Sequence, residues 1–256
     1  MTVLVESSPQ ALPLGAACVA SALKNHNPIK NHLEVGLKAF SMERSPSLLA
    51  ALDDLFFSYP KIDFLCMSVF VWNRDFSQAL AMEVRKKSPG TILIAGGPEV
   101  TANPLSFVDF DYAVSGEGEY SLPLLVEKLL FAGQKFCEQA SLDKDALGFC
   151  FGIQGVYAPS KIDVNVEAEG TVLVRSLPPD LEKLPSPYLD ASLNAADYGG
   201  ALWELARGCP FKCSYCYESR GEKRVRYFPR ERLEKEAELF ASQKIPQVFV
   251  LDPTYN

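Results

Sequence analysis

Histidine is scarce: His26 and His32 are the only two in 256 residues, and both lie near the amino terminus. Any metal site further along must therefore use other donors. Positive charge is also short, with 25 Lys and Arg against 32 Asp and Glu, a net charge of −7. That balance argues against a surface for nonspecific nucleic-acid binding. No apolar run is long enough to span a membrane. The opening Met1-Thr2-Val3-Leu4-Val5-Glu6 is too short for the core of a signal peptide, so a cytoplasmic location is expected. The seven cysteines are an odd number and do not suggest a disulfide framework. Internal repeats and low-complexity tracts are missing as well. What remains, 48% hydrophobic and 22% charged, is the composition of an ordinary globular chain of one or two domains.

The first half alternates between two periodicities. Strands are expected at Thr2–Glu6, His32–Phe40, Phe64–Phe70, Thr91–Ala95 and Tyr112–Val114. Helices are expected at Leu14–Asn25, Pro46–Phe57, Phe76–Lys87 and Ser121–Phe131. Phe64–Phe70 is continuously apolar, as in a strand covered on both faces. This β/α alternation predicts a doubly wound parallel sheet. Beyond it, Phe151–Val174 reads as a small antiparallel ribbon. Leu177–Leu189 carries four prolines, which rules out a helix or central strand and marks a linker. Leu202–Ala206 then reads as a strand, Arg230–Ser242 as a helix and Gln247–Leu251 as a further strand.

Three of the cysteines are packed into Arg207-Gly208-Cys209-Pro210-Phe211-Lys212-Cys213-Ser214-Tyr215-Cys216-Tyr217, a C-x3-C-x2-C spacing. Gly208 and Pro210 favour an irregular loop. Arg207 and Lys212 place positive charge where it favours thiolate. Three soft thiolates on one loop suit three corners of a [4Fe-4S] cluster and leave the fourth iron open. Zinc is the competing reading, but structural zinc takes four ligands and no fourth is near. Cys18, Cys66, Cys137 and Cys150 are scattered in apolar context and read as core residues.

The strand ends hold the other informative residues. Ser68-Val69-Phe70-Val71-Trp72-Asn73 closes one strand, Gly96-Gly97-Pro98-Glu99 another, and Gly116-Glu117-Gly118-Glu119 a third. Ligands of open α/β sheets bind at such carboxyl ends, although tight turns yield the same glycines.

Taken in order, these turns, the proline-rich linker and the cysteine loop resemble the radical S-adenosylmethionine (radical SAM) enzymes that carry a cobalamin (B12)-binding domain. The resemblance covers nearly the whole chain. It implies an α/β fold: a Rossmann-like (flavodoxin-like) cobalamin-binding-type domain over residues 1–150, a ribbon and linker over 151–198, and the start of a partial (β/α)6 radical SAM barrel over 199–256, apparently truncated. It further implies that Cys209, Cys213 and Cys216 ligate a [4Fe-4S] cluster whose open iron takes SAM. One electron would then release a 5′-deoxyadenosyl radical, with Tyr215 lying against the adenine. Cobalamin is implied at the sheet's carboxyl edge, near the backbone of Ser68, Gly96, Gly97 and Gly116, with Trp72, Asn73 and Glu117 as candidate side chains.

Some cobalamin domains use D-x-H-x-x-G to ligate cobalt. This chain lacks that motif, and Lys30-Asn31-His32-Leu33-Glu34-Val35-Gly36 has its glycine one place late, so cobalamin is expected without a histidine ligand. Asp252 stands where many radical SAM enzymes carry a GGE-type motif. Two readings stay open for it: acceptor for the SAM ammonium, or starter of a turn before Pro253. The implied partners are SAM, an unknown substrate and an electron donor such as a flavodoxin or ferredoxin, with neither membrane nor nucleic acid expected. Methyl transfer is the implied reaction, with ring formation, rearrangement or related radical chemistry as the other outcomes of that class. The alternatives are a radical SAM enzyme modifying RNA or protein through the basic stretch Lys223–Arg232, with a Rossmann domain that binds no cobalamin, or a non-catalytic metal-binding module. A chain cut within the barrel is expected to show little turnover alone.

Overall fold

A computed structural model describes residues 1–8, 12–41, 47–131, 146–147, 149–161, 172–211, 213–216 and 224–252. The chain divides into two units, Met1–Leu177 and Pro178–Asn256.

The first unit alternates β1 (Thr2–Ser8), α1 (Leu14–Asn25), β2 (Val35–Ser41), α2 (Leu48–Ser58), β3 (Phe64–Ser68), α3 (Arg74–Lys87), β4 (Ile92–Gly96), the short α4 (Pro98–Ala102), β5 (Tyr112–Val114) and α5 (Gly118–Phe131). Short strands follow: β6 (Ala146–Leu147), β7 (Phe149–Cys150), β8 (Ile153–Gln154), β9 (Val156–Tyr157) and β10 (Val172–Leu173). The main sheet runs β2-β1-β3-β4-β5-β9-β7-β8. Its first five strands are parallel; β9 joins β5 antiparallel. The order 2-1-3-4-5 is the flavodoxin-like doubly wound arrangement.

Strand side chains alternate between two cores. Val3, Val5, Leu65, Met67, Leu93 and Ala95 pack with Leu52 and Leu55 of α2 and Leu80 and Val84 of α3. Leu4, Phe64, Cys66, Ile94, Tyr112 and Val114 pack with Ala16, Ala20 and Leu23 of α1 and Leu122, Leu125 and Val126 of α5. The period of two therefore divides each apolar run between two helical layers. Leu80, Leu93 and Leu125 are fully buried, each contributing about 1.5–3 kcal/mol over exposure.

Several strand boundaries differ from the sequence expectation, two of them with a clear local cause. His32 lies in a turn, its N–H donating to the Ile29 carbonyl at 2.8 Å, and the strand begins only at Val35. The second strand end is set by Asn73, described below. The stretch read as a separate ribbon joins the main sheet through β8 and β9, which pair with β7 just before it; residues 162–171 of it lie outside the described residues, as does Cys137. Between β7 and β8, Phe151 (φ 56°) and Gly152 (φ 73°) form a two-residue loop with both residues left-handed, the geometry that matches strand twist.

The second unit carries β11 (Ala201–Trp203), β12 (Ala206–Arg207), β13 (Arg226–Tyr227), α6 (Arg230–Ser242) and β14 (Val248–Val250). β11 pairs with β14 in parallel and β12 with β13 antiparallel. The expected strand 202–206 is thus broken at Glu204–Leu205. The proline-rich stretch is ordered: Leu181, Tyr188 and Leu193 are buried, and the Tyr188 hydroxyl donates to the Leu202 carbonyl at 2.6 Å. Glu236 of α6 is 1% exposed. Its carboxylate accepts from Ser186 Oγ (2.5 Å), Trp203 Nε1 (2.8 Å) and Arg232 Nε (2.9 Å). No described helix is long and apolar enough to cross a membrane.

Gly152 and Gly155 both have positive φ, but only Gly155 is crowded: an added Cβ would lie 2.1 Å from the Ser176 backbone nitrogen, whereas nothing lies within 4 Å of one at Gly152. Gly152→Ala should cost only the left-handed backbone penalty, about 1–2 kcal/mol. Gly155→Ala should cost more, because the 174–176 segment must move. Thermal unfolding of the two variants side by side checks the ordering.

Candidate functional site

The carboxyl edge of the first unit's sheet gathers the turns after β3, β4 and β5. Beyond Ser68 the chain leaves the ladder. Val69 crosses to the next turn, its N–H donating to the Gly96 carbonyl (2.7 Å) and its carbonyl accepting from the Glu99 N–H (3.2 Å). Gly97 permits this at φ 104°, since a Cβ there would lie 2.6 Å from the Val69 oxygen. Phe70 and Trp72 then stack, ring centroids 4.6 Å apart and 10° from parallel. Trp72 is 49% exposed. The result is a flat aromatic face at the strand end.

Asn73 is placed differently from the expectation. It is 1% exposed; its Oδ1 accepts from the Phe70 N–H (2.8 Å) and its Nδ2 donates to the Ser68 carbonyl (3.0 Å). Those bonds end β3 at Ser68 and turn the amide into the loop. Arg74, which the sequence reading missed, donates to Glu99 (3.3 Å) and to Ser106 Oγ (3.1 Å), tying this turn to the Gly-Gly-Pro-Glu turn. Thr101 Oγ1 donates to the Gly97 carbonyl (2.9 Å) and accepts from the Gly116 N–H (2.9 Å), linking the second turn to the third.

At that third turn Gly116 (φ 100°) meets this chain's own Ser176: a Cβ would lie 3.0 Å from its backbone nitrogen. The Ser176 N–H donates to the Ser115 carbonyl (2.6 Å), and its Oγ bonds Ser121 Oγ (2.6 Å) and the Glu117 carbonyl (3.0 Å). Gly118, expected in a turn, instead opens α5. Ser68, Trp72, Gly96, Gly97, Gly116 and Glu117 thus lie along one edge.

The histidines lie elsewhere. α1 returns the chain to the sheet's opposite, amino edge, where His26 follows it and bonds Glu127 at 2.7 Å. His32, in the turn before β2, packs edge-on against Phe131.

In the second unit, Cys209, Cys213 and Cys216 are not disulfide-bonded and are half-exposed. Gly208 (φ 91°) turns the chain out of β12. A turn closes from the Cys216 N–H to the Cys213 carbonyl (3.1 Å). Tyr215 is 91% exposed; negative charge on the neighbouring Cys213 sulfur, and its hydrogen bond with the phenol, push the hydroxyl above its usual range. The three sulfurs share a loop, but among the described residues no group of three His, Cys, Asp or Glu is arranged to hold a metal ion. The Arg207 guanidinium is committed to Glu204 at 3.0 Å and packs over Phe228 at 5.5 Å. Lys212, Lys223 and residues 253–256 lie outside the described residues. Asp252 Oδ1 accepts from the N–H groups of Leu205 (2.8 Å) and Ala206 (3.1 Å), bracing the strand that feeds the cysteine loop. A groove of about 460 Å³ lined by Trp203, Phe240, Lys244 and Val248 contains none of the expected site residues.

The class of protein follows from these features: a flavodoxin-like sheet with an aromatic step at its carboxyl edge, joined to a unit that presents a three-thiol loop. No protein-family model matches the chain. It is 27% identical over 231 residues to TokK of Streptomyces tokunonensis, a cobalamin-dependent radical SAM methyltransferase, covering 85% of this chain and 31% of that protein. It is 30% identical over 208 residues to a 2-(S-pantetheinyl)-carbapenam-3-carboxylate methyltransferase of Streptantibioticus cattleyicolor, covering 76% and 28%. Among solved structures it superposes on OxsB, a cobalamin-dependent S-adenosylmethionine radical enzyme, with a TM-score of 0.65 and 18% identity, over 99% of this chain and 34% of that one. The chain is therefore related to the cobalamin-dependent radical SAM methyltransferases over most of its length. It spans roughly a third of the curated relatives it matches, 31% and 28%.

Asp252→Ala should leave two N–H groups without their acceptor, a loss of about 1–3 kcal/mol, while Asp252→Asn keeps an oxygen there. With a thiol reagent at pH 8, the alanine variant should label faster at Cys209, Cys213 and Cys216 than wild type or Asp252→Asn. Cys66, whose thiol burial pushes up to about 12, should react in none of them before unfolding.

Proposed function

We propose that this chain carries the cobalamin-binding domain and the cluster loop of a radical SAM enzyme, and that the enzyme is a methyltransferase. One observation carries the reading. The 85% match exceeds what the first unit alone, 177 of 256 residues, could supply, so the relationship runs through both the sheet and the cysteine loop.

The residues present suit both cofactors. Three thiols without disulfide partners, on an irregular and half-exposed loop, are the donor set of an iron–sulfur cluster with one open iron. The stacked Phe70–Trp72 face offers a flat apolar surface to a corrin ring, beside the Gly96-Gly97 turn that Val69 packs against. When bound, cobalamin would supply a methyl carrier, and the cluster with SAM a one-electron route to a 5′-deoxyadenosyl radical. Within this scheme Cys209, Cys213 and Cys216 ligate iron. Tyr215 presents its exposed ring to the adenine. Asp252 braces the loop from behind; with Oδ1 already accepting two backbone bonds, any contact with the SAM ammonium falls to its other oxygen. Neither histidine reaches the carboxyl edge, which supports cobalamin held without a histidine ligand. A one-electron donor of flavodoxin or ferredoxin type completes the scheme.

The reading as an RNA- or protein-modifying enzyme rested on the basic stretch. Its described residues are engaged: Arg226 donates to the Pro179 carbonyl, Arg230 to Glu234 and Arg232 to Glu236. No observation favours that reading.

Anaerobic reconstitution with iron and sulfide should give a [4Fe-4S]⁺ electron paramagnetic resonance signal that shifts on adding SAM, and Cys213→Ala should abolish it. A signal indifferent to SAM, or zinc in place of iron, would overturn the assignment. Hydroxocobalamin should bind the chain, and His26→Gln/His32→Gln should leave its affinity and visible spectrum unchanged; a spectral change would place a histidine on cobalt.

A further inference from the structure

Asn73 lies within the expected cofactor contacts by sequence, yet it is 1% exposed and cannot present its amide to a ligand. We propose that Asn73 is a positioning residue for cobalamin, acting through Trp72: it holds the Phe70–Trp72 step in the one arrangement that offers a flat face at the sheet edge. The inference rests on the reading that cobalamin lies against that edge.

The argument starts from what β3 leaves unpaired. Once the ladder stops at Ser68, the Ser68 carbonyl and the Phe70 N–H need partners. Asn73 supplies both, as acceptor for Phe70 (2.8 Å) and donor to Ser68 (3.0 Å). Residues 68–73 are thereby closed into a ring. The turn is also closed by its own backbone, from the Asn73 N–H to the Phe70 carbonyl (3.1 Å), but that bond serves neither the Ser68 carbonyl nor the Phe70 N–H. Val71 is 73% exposed and Trp72 49%, so core packing holds neither. The stack on Phe70 aligns the two rings, but it cannot fix the backbone that carries them. Asn73 also stands at the amino cap of α3 without a side-chain bond to that helix. Its amide is spent on the loop, where a capping residue would ordinarily serve the helix. Arg74 next to it anchors the far end of the ring to Glu99 and Ser106. A loop ordered before the ligand arrives does not have to be ordered by it.

The test is a double-mutant cycle on hydroxocobalamin binding to the whole 256-residue chain, read by equilibrium dialysis. Asn73→Asp keeps the acceptor for Phe70 but turns an oxygen toward the Ser68 carbonyl. Asn73→Ser is the second variant: serine is an equally good helix cap, so α3 is kept, but it is too short to span both partners. Trp72→Ala removes the face. Each single change is expected to weaken binding about tenfold. The Trp72→Ala/Asn73→Ser double variant should bind no more weakly than Trp72→Ala alone, because the residue through which Asn73 acts is gone. Losses that multiply, to about a hundredfold in the double variant, would show that Asn73 acts independently of Trp72 and would overturn the inference. So would unchanged binding by both Asn73 variants. Wild-type chain that fails to bind hydroxocobalamin would overturn the cobalamin reading itself, and this inference with it. Trp72→Ala binding like wild type, with the Asn73 variants weakened, would overturn only the inference.

Discussion

The passage of Val69 between Gly96 and Glu99 is the contact on which the carboxyl edge depends. One residue gives its N–H to the turn after β4 and takes an N–H back from it, at 2.7 and 3.2 Å. The exchange is possible only because residue 97 has no side chain and sits at φ 104°, where L side chains are strained. It fixes where α4 begins, and hence where Glu99 and Thr101 point. Glu99 reaches back to Arg74 on the first turn and Thr101 forward to Gly116 on the third. Three turns that the chain visits far apart in sequence thereby become one hydrogen-bonded rim. None of these bonds is strong alone, at about 1 kcal/mol net each; their effect is to leave each turn a single arrangement.

The glycines of this rim serve the chain before they serve a ligand. Gly97 admits Val69, while Gly116 and Gly155 admit Ser176. Ser176 in turn answers three groups at once, the Ser115 carbonyl, the Ser121 hydroxyl and the Glu117 carbonyl. The rim is closed on itself at the β5 side. What it leaves open is the β3 side, where Val71 and Trp72 stand exposed and Trp72 stacks on the half-buried Phe70. On the proposed reading, that aromatic face is where a flat ligand would lie.

Much of this was legible. The runs read as buried strands at 64–70 and 91–95 are almost wholly apolar because alternate residues face different helical layers. The three strand-end motifs fall along one edge of the sheet, and the three cysteines fall on one loop. Their inner workings did not show. Asn73 looks like a ligand contact in sequence because amide side chains commonly are; its inward turn depends on where β3 runs out of partners. Arg207 looked like a thiolate stabiliser, but Glu204 three residues away takes its charge. Ser176 and Glu236 were invisible for another reason. Their partners Ser121 and Ser186 lie 55 and 50 residues away, and no local pattern encodes a contact of that range.

The second unit spends its order on the frame around the cysteine loop. Glu236 is a buried carboxylate in a small unit, a costly group unless fully bonded: breaking such a pair typically loses about 3–5 kcal/mol. Here it receives a hydroxyl, an indole and a guanidinium from three separate segments, and Arg232 lies 4.1 Å over Phe228. That cluster locks α6 to β11 and to the 186 turn. Asp252 bolts the start of β12 from the other side. Between these fixed points Cys209, Cys213 and Cys216 are half-exposed, and among the described residues they form no group arranged to hold a metal ion. Thiolate sites of this kind form together with the metal they bind, so that binding energy becomes ordering energy. On the proposed assignment the frame would set where the loop begins, and the irons would set where the sulfurs end.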